Sequence, residues 1–135
     1  MSERYLLDTN IVSAALRGEP RALLNRLAGI APACMHLSSL VFGELVTGAE
    51  KSERRAATLA AVRDLTASMT PAPFGADDAT AYGRIRAALE RKGAGIGPMD
   101  MLIAAQAVAR GLVLVTDNLR EFRRVPGLKC ENWVR

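Results

Sequence analysis

The sequence has 135 residues, of which 50% are apolar and 24% charged, with 18 Lys and Arg against 14 Asp and Glu. This composition excludes a disordered chain, and the length predicts a single domain over residues 1–135 with a substantial core. The net charge of +4 and the pI of about 9.6 are compatible with a polyanionic partner but do not require one.

The sequence shows no sign of a targeting or membrane segment. The apolar run near the N-terminus is too short for a signal peptide, and no run reaches the roughly 20 apolar residues that span a membrane. Cys34 and Cys130 lie far apart and form no Cys-x-x-Cys pair. We therefore expect a cytoplasmic protein, with no membrane association, that keeps two reduced thiols.

Short apolar runs and capping residues predict alternating strands and helices in the first half of the chain. Residues 4–7 predict a buried central strand, because short apolar runs are typical of parallel sheets. Asp8, Thr9 and Asn10 are favoured helix N-caps, so a helix is expected directly afterwards. The predicted elements that follow are a helix over 11–16 ending at Gly18, a helix over 21–27, a strand around 34–37, a helix from Ser38 or Ser39 to about 48, and a helix over 53–67.

The second half continues the same alternation. Pro71 and Pro73 predict an extended link after a short strand at 69–70, and Pro98 suits the first position of a helix. Residues 112–115 are wholly apolar and predict the clearest strand of the sequence. The remaining predicted elements are a helix over 77–92, a helix over 98–109 ending at Gly111, a turn over 116–118, a short helix over 121–125 and a strand over 128–130.

This order of elements indicates the architecture. Strands that alternate with helices, without a repeat or a long linker, are typical of a parallel sheet covered on both faces. The sequence therefore predicts a three-layer α/β/α domain with a central parallel sheet of four or five strands. In such sheets, ligands bind beyond the carboxyl ends of the strands.

Two acids stand at predicted carboxyl ends of strands. Asp8 follows the first strand and Asp117 follows the strand over 112–115, so both side chains are expected along one edge of the sheet. Each also has a structural explanation. Asp8 could serve only as a helix cap and Asp117 only as a turn residue.

Two further acids interrupt apolar helix faces. Asp100 could be a first-turn acid stabilised by the helix dipole, but its neighbours at helical spacing are apolar, so it lies on the stripe that faces the core. Glu44 has Leu40 and Val41 one turn before it, and a glutamate on that face loses much of its water unless it lies at a cleft.

Gathering these acids at one point requires a counter-charge. Burying a lone carboxylate costs several kcal/mol, and neighbouring carboxylates raise each other's pKa. A divalent cation resolves the conflict, and ligands that are all oxygen favour Mg²⁺ or Mn²⁺ over zinc, especially as His36 has no partner at ligand spacing. Structural ion pairs with nearby arginines are the alternative explanation.

Other candidate motifs lack the context that their chemistry needs. Gly93, Gly95 and Gly97 follow a helix, whereas a dinucleotide-binding fingerprint follows a strand, so these glycines are expected to help present Asp100. Ser38, Ser39, Cys34 and Cys130 have no base or triad arrangement that would support covalent catalysis.

The acids and their settings resemble the PIN domain family of metal-dependent ribonucleases, and most closely the VapC toxins of bacterial VapBC toxin–antitoxin pairs. The likeness spans nearly the whole chain, and it is the ordered set that is specific. The matching segments are Leu7-Asp8-Thr9-Asn10, Glu44, Ile96-Gly97-Pro98-Met99-Asp100 with Leu102-Ile103-Ala104-Ala105, Leu114-Val115-Thr116-Asp117-Asn118, and the tail Glu121-Phe122-Arg123-Arg124-Val125-Pro126-Gly127-Leu128 with Glu131-Asn132-Trp133.

The resemblance implies a set of site residues. Asp8, Glu44 and Asp100 match the acidic site, with Asp8 and Asp100 as the Mg²⁺ ligands and Glu44 acting directly or through water. The family pattern after the last core strand places either Asp117 or Asn118 at the fourth position, and we favour Asp117 for its charge. Supporting polar roles fall to Thr9, Asn10, Thr116 and Asn118. Gln106, where relatives often have His, and Met99, where they have a polar residue, depart from the pattern.

The resemblance also implies an activity and partners. We expect a Mg²⁺-dependent endoribonuclease toxin, with Mn²⁺ as a substitute ion, that hydrolyses RNA by metal-activated water and is a homodimer silenced by a VapB-type antitoxin. The family-level substrate is structured RNA such as tRNA. Candidate backbone-binding residues, each of which could also be a solvated helix charge, are Arg86, Arg91, Lys92, Arg120, Arg123 and Arg124.

Two other functions are compatible with acids in these positions. A catalytically silent PIN-like module would bind a metal or RNA without turnover. A phosphoacceptor receiver domain also carries acids at strand ends, but it needs a Lys after a late strand, where this chain has Thr116-Asp117.

Overall fold

The structure is a computed structural model and describes residues 3–135. Its five parallel strands are arranged in the order β3-β2-β1-β4-β5. The strand bounds are β1 Tyr5–Leu7, β2 Met35–Ser38, β3 Thr70–Ala72, β4 Val113–Val115 and β5 Cys130–Glu131. Both neighbours of β1 are long-range partners in sequence, so the sheet forms around the first strand of the chain.

Helices connect successive strands and cover the sheet on both faces, which gives the expected three-layer α/β/α fold. Helices α3 and α4 pack against each other, and so do α5 and α6. None of the helices described here is long and apolar enough to cross a membrane. The helix bounds are α1 Thr9–Arg17, α2 Arg21–Ala28, α3 Ser39–Glu50, α4 Arg55–Thr66, α5 Ala76–Lys92, α6 Pro98–Arg110 and α7 Leu119–Phe122, with a 3-10 turn at Pro32–Cys34.

The core lies around the two central strands. Leu6 and Leu7 of β1 and the whole of β4 are buried, as expected for apolar strands with a neighbour on each side. Trp133 closes one end of this core and meets Tyr5 edge-on, with ring centroids 4.8 Å apart. A continuous core of this kind holds the carboxyl ends of β1 and β4 in a fixed relation.

Most predicted elements are confirmed, and the differences lie at the edges of the sheet. The strand predicted at 69–70 is β3, Thr70–Ala72, so Pro71 is part of a strand and the prediction of a link there was wrong at its start. Pro71 pairs with Leu37 in β2. Proline is tolerated here because β3 is an edge strand, and its outer side has no neighbouring strand that would need a backbone N–H. Near the C-terminus, α7 begins at Leu119 rather than 121.

Two local contacts fix the site edge of the sheet. The backbone N–H of Asp8 donates to the carbonyl of Val115 at 3.1 Å, which joins the end of β1 to the end of β4. The Asp8 carboxylate then caps α1 by accepting from the N–H of Ile11 at 2.9 Å. On the other side of β1, Ser38 caps α3 in the same way through the N–H of Leu40. Helices α1 and α3 therefore start at the same edge of the sheet.

Candidate active site

A cleft of about 170 Å³ opens at the carboxyl edge of the sheet. It brings together residues from the starts of α1 and α6 and from the middle of α3, although these segments are far apart in sequence. Its polar lining consists of Asp8, Thr9, Asn10, Glu44 and Asp100, and Met99 and Ile103 complete it. Three of the four predicted acids thus face one space.

Asp8 is the most buried of these acids, with 7% of its surface exposed. Burial raises the pKa of its carboxyl group, and the negative charges of Asp100 and Asp117 raise it further. The hydroxyl of Thr116 and the N–H of Ile11 act in the opposite direction, because both stabilise the anion by hydrogen bonding. The capping role is therefore present, but it does not explain why other acids gather around this one.

Glu44 lies on an exposed part of α3 and lines the cleft. The hydroxyl of Thr9 donates a 2.6 Å hydrogen bond to its Oε1 atom. The exposed position of Glu44 at the cleft explains how a helix with buried apolar residues can carry this glutamate. The hydrogen bond from Thr9 leaves the second carboxylate oxygen free of contacts within residues 3–135.

Asp100 occupies the first turn of α6 and is half-buried. Burial raises the pKa of its carboxyl group, and the charges of Glu121 and Glu44 raise it further. The glycine-rich segment comes close to it, because a Cβ atom on Gly97 would lie 3.7 Å from Oδ2 of Asp100. This close approach is consistent with the prediction that the glycines help to present Asp100.

Glu121 is an acid near the site that the sequence analysis did not select. It lies in α7, and its charge acts on Asp100 more strongly than that of Glu44. The Nδ2 atom of Asn118 donates to Oε2 of Glu121 at 2.8 Å. The spacing Asn118-x-x-Glu121 is typical of a helix start, and it could have indicated that this helix begins at 119 and turns Glu121 inward.

Asp117 and Asn118, the two candidates for the fourth position, are not part of the cleft lining. Asp117 is exposed and lines a neighbouring cleft, where its Oδ1 atom accepts from Nδ2 of Asn132 at 3.1 Å. The backbone N–H of Asn118 donates to the hydroxyl of Thr116, which is fully buried. The negative charge of Asp117 nevertheless raises the pKa of the Asp8 carboxyl group.

The acids of the cleft have no protein counter-charge among the described residues. The ion pairs found within residues 3–135 do not include Asp8, Glu44, Asp100 or Glu121. Elsewhere the buried acid Asp78 does have an arginine partner, Arg110, at 3.1 Å. The acids of the cleft therefore differ from this structural ion pair. The alternative that the site acids are structural ion pairs therefore finds no support here.

The donor set suits a hard divalent cation. Every polar side chain in the cleft offers oxygen, apart from the amide nitrogen of Asn10, and carboxylate oxygens are the ligands of Mg²⁺ and Mn²⁺. Among the side chains of residues 3–135, no three Asp, Glu, His or Cys groups already converge closely enough to ligate a metal. His36 is buried in β2, where burial lowers its pKa, and it does not line the cleft.

The predicted RNA-binding cations are exposed, but two of them are already engaged. Arg86 donates to the hydroxyl of Tyr82 at 3.0 Å and lies 3.4 Å from Glu90. Arg124 donates to the carbonyl of Gly95 at 3.2 Å. Exposed side chains without such contacts in the described part of the chain are Arg91, Lys92, Arg120 and Arg123.

The two departures from the family pattern lie in different places. Met99 lines the cleft and is partly exposed, so it can contact a substrate. Gln106 is fully buried on α6, and its Nε2 atom donates to the carbonyl of Ala72 at 2.6 Å. Gln106 therefore supports the edge strand rather than the cleft.

The sequence profile of the PIN domain matches residues 5–128. The chain belongs to the PIN domain family. Its relatives include a tRNA(fMet)-specific endonuclease VapC from Shigella flexneri, which is 38% identical over 130 residues, covering 96% of this chain and 98% of the relative. Ribonuclease VapC2 from Haemophilus influenzae is 41% identical over 131 residues, covering 97% and 98%.

Solved structures of this group share the fold. The crystal structure of DNA-bound VapBC from Salmonella typhimurium matches with a TM-score of 0.91 and 38% identity, covering 98% of this chain and 99% of that one. VapBC2 from Rickettsia felis, bound to a DNA fragment from its promoter, matches with a TM-score of 0.89 and 36% identity, covering 96% and 98%. The chain is thus a PIN domain of the VapC type, as the resemblance implied.

Proposed function

We propose that this PIN domain is a divalent-metal-dependent endoribonuclease, the toxin of a VapBC-type toxin–antitoxin pair. One observation carries the proposal most directly. Asp8, Glu44 and Asp100 line a single cleft at the carboxyl edge of the sheet, and no Lys or Arg within residues 3–135 pairs with them. Carboxylates in that setting need a cation that the chain itself does not provide.

The ion that we assign to the cleft is Mg²⁺, with Mn²⁺ as a functional substitute. Asp8 and Asp100 are its proposed ligands, because these are the two acids whose pKa is raised by burial and by neighbouring carboxylates. Glu44 takes part directly or through water. Asp117 contributes charge from the adjacent cleft, and Glu121 does so from the side of Asp100.

When bound, a divalent cation lowers the pKa of a water molecule and stabilises charge that develops on the scissile phosphate. The chain's own residues then set the geometry. Thr9 holds Oε1 of Glu44, so Oε2 is available to accept a proton from the attacking water. The buried position of Asp8, whose carboxylate also accepts from the N–H of Ile11, holds this proposed ligand in one orientation. The expected products carry a 5′-phosphate and a 3′-hydroxyl.

Substrate and partners follow from the relatives. The Shigella flexneri relative is named for tRNA(fMet), and we propose a tRNA as the substrate of this chain too. The Salmonella typhimurium and Rickettsia felis structures are of VapBC, and we propose that a VapB-type antitoxin silences this toxin in the cytoplasm. We also propose a homodimer, and RNA-backbone contacts by Arg91, Lys92, Arg120 and Arg123.

Cleavage of tRNA by purified protein in Mg²⁺ tests the proposal. Asp100→Asn should lower the rate by at least about a hundredfold, since losing even a partner of a metal ligand costs ten- to a hundredfold. Asp77→Asn is the matched control, because Asp77 is an exposed acid in the first turn of another helix. Equal rates for the parent and Asp100→Asn would end the assignment.

The same experiment separates the enzyme from a silent module. A catalytically silent protein would bind RNA or Mn²⁺ without cutting any RNA, whichever ion is supplied. Isothermal titration calorimetry with Mn²⁺ measures whether the protein binds the metal, independently of RNA cleavage. Binding without cleavage by the parent protein would favour the module.

A further inference from the structure

A second cleft lies beside the acid cleft and is larger, at about 250 Å³. Asn10 lines both clefts, so it forms the boundary between them. Arg17, at the end of α1, and Asp117, after β4, supply the charged lining. Pro20 and Val134 add apolar surface. A polymer bound at the acids of the first cleft could therefore extend past Asn10 into the second cleft.

The polar groups of the second cleft have unused hydrogen-bonding capacity. The guanidinium of Arg17 is exposed and makes no hydrogen bond or ion pair with residues 3–135, and the side-chain amide of Asn10 makes none either. Asp117 is engaged through Oδ1, by Nδ2 of Asn132 at 3.1 Å and by Nε of Arg135 at 4.0 Å. Its Oδ2 atom has no partner in the described part of the chain.

We propose that this cleft holds the RNA nucleotide next to the scissile phosphate, with Arg17 on its phosphate group and Asp117 accepting from its ribose 2′-hydroxyl. The inference rests on the proposed function, because the scissile phosphate is placed at Asp8 and Asp100. A guanidinium matches a phosphate in shape and charge, and Oδ2 of Asp117 matches a hydroxyl donor. The 2′-hydroxyl is the donor that every RNA nucleotide carries and that DNA lacks.

Charge and shape favour a nucleotide over a protein segment. The Oδ1 atom of Asp117 already accepts from Asn132 and lies 4.0 Å from Nε of Arg135, so Oδ2 is the acceptor that remains for a ribose hydroxyl. The apolar surface of Pro20 and Val134 offers one face for a sugar or base. The cleft is smaller than pockets that enclose a whole ligand, which suits one unit of a chain that continues outside.

Arg17→Gln tests the phosphate contact. We expect KM for an RNA substrate to rise about tenfold with little change in kcat, since a charge-assisted hydrogen bond is lost from binding. In an Asp100→Asn background, which prevents cleavage, the slope of log affinity against log salt should fall by about 0.7 for one phosphate contact to a single strand. Arg17→Lys should recover part of the affinity, and Arg63→Gln, an exposed arginine of α4, is the control.

Asp117→Asn tests the sugar contact with substrates that carry a single 2′-deoxy nucleotide on either side of the cleavage site. The parent should lose about tenfold to a hundredfold in kcat/KM at one flanking position, the worth of one hydrogen bond to a charged group. The loss should be smaller, about twofold to tenfold, in Asp117→Asn, because its uncharged amide oxygen is a weaker acceptor. Isothermal titration with Mn²⁺ should show that Asp117→Asn loses much less metal affinity than Asp100→Asn, because Asp117 acts on the acid cleft only through its charge.

Three results would overturn the proposal while leaving the nuclease assignment in place. The first is an Arg17→Gln variant whose KM and salt slope equal those of the parent. The second is loss of Mn²⁺ binding in Asp117→Asn as in Asp100→Asn, which would place Asp117 among the ligands. The third is an Arg17→Gln variant that weakens only antitoxin binding, which would give the cleft to a protein. Failure of the parent to cut RNA would instead remove the proposed function.

Discussion

The hydroxyl of Thr9 and the Oε1 atom of Glu44 lie 2.6 Å apart, so the first turn of α1 is joined to the middle of α3 across the mouth of the acid cleft. Both residues lie on helices that begin where adjacent strands end, β1 for Thr9 and β2 for Glu44. The hydrogen bond fixes one glutamate oxygen in place. Glu44 is otherwise exposed, and no other hydrogen bond or ion pair within residues 3–135 orients its carboxylate.

Thr9→Val should therefore lower kcat about tenfold, because it keeps the shape of the side chain and removes the donor that orients Glu44. Thr9→Ser keeps the hydroxyl and should retain most of the activity. Cleavage rates at saturating RNA measure the effect, and circular dichroism checks that both variants fold. An unchanged kcat in Thr9→Val would show that Glu44 needs no orientation from Thr9.

Asp8 should make stability depend on pH in the absence of metal. Its folded-state pKa is raised above the ordinary value, so its contribution to stability is fully present below that ordinary value and is lost as pH rises through the folded pKa. Asp8→Asn keeps an N-capping side chain and removes the charge. In EDTA near pH 7 we expect the variant to unfold at higher urea than the parent, and the difference to shrink as pH falls.

Mg²⁺ should act in the opposite direction on the same pair of proteins. The ion binds the folded parent and should raise its unfolding midpoint, whereas Asp8→Asn lacks a ligand and should respond less. Urea unfolding of both proteins, without Mg²⁺ and at Mg²⁺ concentrations raised in tenfold steps, measures this difference. A parent midpoint that is insensitive to Mg²⁺ at neutral pH would contradict a site at Asp8.

The ion pair of Asp78 and Arg110 should stabilise the fold without contributing to cleavage. Asp78 has 2% of its surface exposed, lies 3.1 Å from Arg110 and also accepts from the N–H of Gly75. Asp78→Ala would leave Arg110 without its partner. Because 32% of the Arg110 side chain is exposed to solvent, we expect a loss of about 1–3 kcal/mol, less than for a fully buried pair. Urea unfolding should show a loss of that order, while the folded fraction should cleave RNA at the parent rate.

Arg124 should act on the glycine segment rather than on RNA. Its Nη1 atom donates to the carbonyl of Gly95 at 3.2 Å, just before Asp100. Arg124→Gln should then raise the Mg²⁺ concentration needed for half-maximal activity by a fewfold, because the start of α6 is less firmly held. RNA affinity and its salt slope should stay as in the parent. A reduced salt slope would restore Arg124 to the RNA-binding set.

The sequence predicted the frame of the site better than its details. Asp8 and Asp100 could be selected as candidates because capping patterns and apolar stripes are local. The strand order was not predicted, because it depends on pairing between segments that are distant in sequence. Pro71 could not be placed in a strand, because only the tertiary structure makes β3 an edge. Whether Asp117 faces the acid cleft or its neighbour depends on the backbone direction after Val115, which composition does not encode.

Glu121 shows the same limit and allows a final test. Helix α7 begins at Leu119, two residues before the start predicted from the sequence, and it places Glu121 near Asp100. The negative charge of Glu121 raises the pKa of Asp100. Glu121→Gln removes one negative charge beside a proposed ligand, so Mn²⁺ affinity should fall about tenfold, the range expected for a group that supports a ligand. Glu53→Gln, an exposed acid before α4, is the control. Isothermal titration at neutral pH should show the difference between the two variants, and equal affinities would exclude Glu121 from the metal site.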